Sequence, residues 1–187
     1  MSCNLTKGFA LGCTDSIGGI RNIYIAIHGQ VDFDSAINDN GVTATITAGT
    51  NGDKIFKYAV EQEVANYTET IVSDRSTGTH HFEQTVTLAL NKVQADVRNQ
   101  IKLLAQNKLI IFAELNQKST LSRTIVILGH ESGLMLTGGS TGMSGTAFGD
   151  RAGHELTFTG KQTEPHILVE DNATIFGADS LTSIVTS

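Results

Sequence analysis

Between Ile55 and Leu90 the chain holds two long alternating runs, IFKYAVEQEVANYTETIV and FEQTVTLALN, joined by SDRSTGTHH. Strand side chains alternate with a period of two, so the pattern predicts a single long β-hairpin. A turn at Arg75 to Thr77 puts the even-numbered positions of both arms on one face: Phe56, Tyr58, Val60, Val64 and Val72 with Phe82, Val86, Leu88 and Leu90. That face is apolar at the root and polar toward the tip, while the other carries Glu61, Glu63, Glu69 and Glu83. A strand of about 17 residues reaches ~55 Å, against a diameter of about 40 Å for a compact chain of this length. Unless it bends at a bulge, the ribbon overhangs its own core. An isolated two-stranded ribbon is marginal in water, so the overhang needs support from other copies of the chain.

The other elements are short. Residues 1–19 read as an arm and a turn ahead of a strand, Ile20 to His28, with Ile23, Ile25 and Ile27 on one face and Tyr24, Ala26 and His28 on the other. A second strand is expected over Val42 to Ala48. Asn91 reads as a helix N-cap with Gln94 in the capping-box position, for a helix over residues 91–107 that ends at Asn107. Val93, Val97, Ile101 and Leu104 form its apolar stripe, and Arg98, Asn99 and Lys102 face outward. Strands follow at 108–115, 123–129, 133–139, 154–162 and 165–170, with a Gly-rich loop at 136–150 and a tail at 171–187. LIIFAEL and TIVILG are apolar on both alternating faces and should be covered on both. Strands without intervening helices predict an antiparallel β-sandwich or barrel, here a single domain with one flanking α-helix and a long protruding β-hairpin.

With 19 acidic against 13 basic residues and a net charge of −6, the chain lacks the basic face that grips nucleic acid. The two cysteines, Cys3 and Cys13, lie in the N-terminal arm and cannot staple a core of this size; reduced thiols are expected. No apolar run is long enough for a secretory signal or a membrane span, which points to synthesis in a cytoplasm and no membrane insertion. His80 and His81 are neighbours on a strand and point to opposite faces, and neither Gly129-His130-Glu131 nor Gly153-His154-Glu155 supplies a second metal-ligand histidine. LTGGSTGMSGTAFGD lacks the Gly-Lys-Ser/Thr ending of a phosphate cradle and reads as a flexible loop that orders on contact. No nucleophile elbow is present, and Glu61 and Glu63 sit on a ribbon rather than in a pocket. An enzyme, a cofactor and a metal are therefore not expected.

Two stretches carry a resemblance. CTDSIGGIRNIYIA, Cys13 to Ala26, is similar to the opening of phage structural proteins, and GTAFGDRAGHELTFTGKQTEPHILV, Gly145 to Val169, to a closing segment of tail proteins. With the order of elements, the chain resembles the bacteriophage tail tube (major tail) proteins and the related tubes of contractile injection systems. The resemblance implies a virion structural protein, made in the bacterial host and located in the virion tail. Its subunits would close into rings, usually hexameric, that stack into a channel for DNA. The implied partners are the chain itself, other tail or neck proteins, and genomic DNA that passes without specific binding. Glu61, Glu63, Glu69 and Glu83 would be lumen-facing candidates, with Lys57 and Arg75 departing from a purely acidic wall. Tyr67, Ile71, Asp74, Arg75, His80 and His81 would make inter-subunit contacts. The alternatives are another virion part of the same fold, such as a neck ring or tail terminator, and a β-sandwich adhesin or decoration module.

Overall fold

The computed structural model describes residues 17–33, 42–43, 46–48, 54–61, 63–91, 93–118, 123–169 and 184–185. Cys3, Cys13, most of the N-terminal arm and nearly all of the C-terminal tail lie outside the described residues. The described elements run in order: β1 (Ile20–Ile27), β2 (Val31–Phe33), β3 (Val42–Thr43), β4 (Ile46–Ala48), β5 (Ile55–Ala59), β6 (Ala65–Asp74), β7 (Thr79–Asn91), α1 (Ala95–Gln106), β8 (Leu109–Lys118), β9 (Arg123–Leu128), β10 (Met135–Leu136), β11 (Thr141–Met143), β12 (Gly153–Gln162), β13 (Ile167–Val169) and β14 (Ile184–Val185). The protein is mainly β, as its alternating runs predict.

Two sheets face one another. A seven-stranded sheet has the order β14-β5-β1-β8-β9-β13-β3, and a five-stranded sheet has the order β10-β12-β7-β6, with β11 also on β12. All pairings in the two sheets are antiparallel except β13 with β3 and β14 with β5. Ile23, Ile25, Ile111, Ala113, Val126 and Leu128 from the larger sheet meet Val86, Leu88, Leu156 and Phe158 from the smaller one in a single core. The alternate residues of the larger sheet, Tyr24, Ala26, Ile110, Phe112, Ile125 and Ile127, are buried in a second cluster on its other face, which Val31 of β2 joins. This double burial is why β8 and β9 are apolar at successive positions.

The helix flanks the sandwich beside β10 and sends Leu104 into the main core, with Ile101 packed against it. It starts later than the capping-box reading places it. Asn91 is still paired to Gly153 as the last residue of β7, and the N-cap is Gln94, which makes no side-chain cap. Val93 therefore falls outside the helical stripe and is 65% exposed. The expected end is observed: Asn107 is the C-cap and its Nδ2 donates to the Leu103 carbonyl at 2.8 Å.

The expected strand at 42–48 is divided between β3, which joins the larger sheet, and β4, which pairs with β2. The long hairpin arm is divided too. β5 pairs with β1 in the larger sheet, and only β6 pairs with β7. Between them Glu63 adopts a left-handed conformation (φ 65°), rare for a residue with a Cβ, and this bend carries the chain from one sheet to the other. The ribbon consequently overhangs far less than a continuous strand would. β12 supports β7 as far as Phe82, so only Val72 to His81 extends beyond it.

One corner joins the two layers. After β9 the chain turns through Gly129 to Gly133, and Leu134 exchanges both backbone hydrogen bonds with Leu109 of the larger sheet (2.7 and 2.9 Å). The next residues, Met135 and Leu136, already pair with β12 of the smaller sheet. At this crossing the Gly133 carbonyl passes so close to Gly160 that a Cβ there would lie 2.5 Å from it. Two glutamines, Gln84 and Gln162, 0% and 1% exposed, satisfy the turn's backbone. Gln84 Oε1 accepts from Gly129 N at 2.8 Å, Gln162 Oε1 accepts from Glu131 N and Ser132 N at 3.1 and 3.0 Å, and Gln162 Nε2 donates to the Gly133 carbonyl at 3.3 Å.

Gly160→Ala should therefore destabilise the fold by about 1–3 kcal/mol, the usual range for overpacking. Gly138→Ala, where a Cβ meets nothing within 4 Å, should leave the melting temperature unchanged. Thermal unfolding followed by circular dichroism compares the two, and equal melting temperatures would contradict the proposed crossing constraint.

Candidate assembly surface

β6 and β7 pair without interruption from Ala65↔Leu88 to Asp74↔Thr79 around the turn Arg75 to Gly78. Gly78 supplies the left-handed residue that closes it (φ 68°), a conformation glycine adopts without strain. Asp74 braces the turn, its Oδ1 accepting from Ser76 N at 2.8 Å and Ser76 Oγ at 2.6 Å. These bonds, with further ones from Thr77, hold the exposed Asp74 carboxyl below its ordinary range. The turn is one residue longer than the Arg75–Thr77 reading. That single residue changes the parity of the pairing: odd positions of β6 share a face with even positions of β7.

The acidic face expected from the sequence is thereby split. Glu69 lies on the inner face opposite Gln84, and Glu83 on the outer face opposite Thr70. Glu61 and Glu63 precede β6 at the bend and are exposed. Glu69 is tied down: its Oε2 accepts from Gln84 Nε2 and from His166 N, both at 2.8 Å, and its Oε1 lies 3.1 Å from His166 Nδ1. Its side chain is only 12% exposed. Tyr67, on the same face, meets the His166 ring edge-on at 6.0 Å. Glu83 pairs with Lys161 at 3.0 Å, and His81 Nε2 lies 3.6 Å from the same carboxylate. Lys161 is the main cause that draws the Glu83 carboxyl below its ordinary range.

Among the expected contact residues, Ile71 is 68% exposed and faces Phe82 at the end of the supported ribbon. Asp74, Arg75 and His80 are exposed at the tip, and His81 is half-buried opposite Val72. Gln84, His166 and Lys161 are missed by the pattern reading. Gln84 does leave a trace, because it is the polar residue in the otherwise apolar series Phe82, Val86, Leu88. His166 and Lys161 come from other strands and leave none.

The outer face of the smaller sheet is rich in threonine. Pairing registers place Thr68, Thr85 and Thr159 in one row, Asn66, Thr87 and Thr157 in the next, and Thr70, Glu83 and Lys161 in a third. β-branched threonine suits a pleated, half-exposed surface. The only charges in these rows are the Glu83–Lys161 pair. At the root, two shallow clefts share Arg151. One, of about 370 Å³, is lined by Glu61, Asn91 and Gly149, and the other, of about 240 Å³, by Glu63, Asn66, Thr87 and Glu155.

Along its far side β6 has no strand partner among the described residues. The opposite edge of the same sheet is formed by the short β10 and β11. The Gly-rich segment is thus more structured than a loop that orders only on contact, since β11 pairs with β12 from Thr141↔Glu155 to Met143↔Gly153. Among the described residues no group of three or more His, Cys, Asp or Glu side chains is arranged to hold a metal ion. Nor is any described helix long and apolar enough to cross a membrane. Comparison with protein-family models, curated proteins and solved structures finds no match.

Beside the corner, burial pushes His130 below its ordinary 6.5. Burial opposes ionisation of Glu131, but the Thr163 hydrogen bonds outweigh it and its carboxyl falls below the ordinary 4.5. His130 resists protonation when folded, so its contribution is complete above pH 6.5 and declines as the pH falls below it. The Glu131 contribution is present above pH 4.5 and lost as the pH falls through its lower folded value. Thermal stability should thus hold above pH 6.5 and fall in two stages on acidification. Thr163→Val should reduce the lower stage alone; melting curves over a pH series that change identically for both chains would contradict this.

Proposed function

We propose that the chain is a self-assembling structural subunit of the phage tail-tube type, whose copies close into rings through their smaller sheets. The observation that carries this reading is the β6 edge. It is ten residues long and unpaired on one side among the described residues. Long edges of this kind in monomeric proteins are usually blunted by proline, by bulges or by unpaired charge. The chain's single proline is Pro165, β6 is paired without a bulge, and the Glu69 carboxylate is occupied internally. Pairing of β6 with the β10–β11 edge of the next copy is heterologous and extends the sheet, and such contacts close rings when the rotation permits.

In such a ring the threonine rows form a continuous surface on one side of the sheet. A hydroxyl-rich wall with its Glu83 charge balanced by Lys161 offers a polyanion little to adhere to. This supports a passive channel for DNA, and it replaces the uniformly acidic wall by a nearly neutral one. Location in a virion tail, and partnership with other tail or neck proteins, belong to this proposal.

Thr68→Lys combined with Thr70→Lys puts two charges on the edge strand without touching the core. Negative-stain microscopy and light scattering over a concentration series should detect rings or tubes for the wild-type chain and folded monomers for the double variant. Wild-type chain that stays monomeric at every concentration would overturn the assembly reading; rings formed equally by the variant would overturn the role of the edge.

A further inference from the structure

The inner face of β6 loses its cover stepwise toward the tip. Ala65 is 8% exposed and Tyr67 packs against the main core, whereas Ile71 is 68% exposed. Glu69 stands between Tyr67 and Ile71 on that face, where the apolar core ends. Hydrophobic contact thus holds the root of the edge strand, and a carboxylate holds it at the point where that contact runs out.

Glu69 works across the layers. Gln84 Nε2, on the neighbouring strand, and the His166 amide, at the head of β13, both donate to its Oε2 at 2.8 Å, and His166 Nδ1 lies 3.1 Å from its Oε1. Because β13 belongs to the larger sheet, these bonds tie the edge strand of the smaller sheet to the layer behind it. Gln84 adds a second tie, since its Oε1 accepts from Gly129 N just after β9. Hydrogen bonds to a charged acceptor are the stronger class. Glu83 differs: its ion-pair partners, Lys161 and His81, lie in its own sheet.

The twist between adjacent strands ranges over roughly 10 to 35°, and an edge strand is restrained by one neighbour instead of two. In a ring joined through β6, the direction of that strand against the body of the subunit becomes the rotation from one copy to the next. That rotation fixes how many copies close.

We infer that Glu69 is a positioning residue that sets the ring-closing angle: by tying β6 to His166 it fixes the direction of the edge strand against the larger sheet, and so the number of copies per ring. The inference rests on the ring reading above, and adds to it what selects one ring size. Pairing itself uses the β6 backbone, so rings still form without the tie but lose their uniformity.

The test compares wild-type chain with Glu69→Gln and Glu83→Gln by negative-stain microscopy, counting copies per ring in end-on views, with circular dichroism and melting followed in parallel. Each substitution removes one carboxylate from the hairpin, and only the first cuts the link between sheets. A carboxamide has one acceptor oxygen to offer where the Glu69 carboxylate serves three nitrogens. Wild-type chain and Glu83→Gln should each show a single ring size, and Glu69→Gln should keep a folded spectrum yet give mixed ring sizes and open arcs. A single, wild-type ring size from folded Glu69→Gln, or an equal spread from Glu83→Gln, overturns the role of Glu69 while leaving the edge pairing intact. No rings from the wild-type chain overturn both readings. If Glu69→Gln does not fold, amide hydrogen exchange on the wild-type chain carries the test: the His166 amide should exchange with the slow core strands, and exchange as fast as at the tip, Arg75 to Gly78, overturns the tie.

Discussion

The two sheets keep their alignment because of the close backbone crossing at Gly133 and Gly160. Leu134 is bonded to Leu109 in the larger sheet, and within one residue the chain is part of the smaller sheet. That passage requires the absence of a side chain at Gly160 and satisfied backbone groups in a turn whose ends, Gly129 and Gly133, are buried. Gln84 and Gln162 meet the second need, and buried polar groups are tolerated only when so paired. Leu134 of this corner belongs to the same core in which Ile25, Ile111, Val86 and Phe158 of the facing sheets pack together.

The same corner governs the hairpin. Gln84 holds the Gly129 amide with its oxygen and Glu69 with its nitrogen, and Glu69 in turn holds the His166 amide. One chain of hydrogen bonds thus runs from the turn after β9 through β7 and β6 to the start of β13. A carboxylate at 12% exposure would be costly alone, and here it accepts from three donors or near-donors. The supported part of the ribbon is therefore rigid up to Phe82 and Ile71. Beyond it the exposed tip depends on its own turn, which Asp74 and Gly78 organise. A rigid edge ending in a short, ordered tip suits repeated contact between copies better than a long free ribbon, which would lose more conformational entropy on each association.

Charge is distributed to match. The four glutamates of the alternating runs do different work: Glu69 is internal, Glu83 is balanced by Lys161, and Glu61 and Glu63 lie at the bend. The threonine rows are left almost neutral, and Glu61 and Glu63 stand apart from them at the root. Had the acids formed one face, adjacent copies in the proposed ring would repel along the whole sheet.

The strand class, both faces of β8 and β9, the helix and its end at Asn107 are determined by local pattern alone, because side-chain alternation and helical periodicity are properties of neighbouring residues. The existence of a hairpin between 65 and 91 is equally local. Its facing was not, since one extra residue in the Arg75–Gly78 turn reverses which glutamates look inward, and turn length is set by how Asp74 and Gly78 close it. The division of the 55–72 run between two sheets is also invisible to alternation, which continues unbroken through the left-handed Glu63. Only the tertiary structure decided these, along with the pairing of Glu69 to His166 and of Glu83 to Lys161, because each joins residues whose separation along the chain carries no information about their distance in space.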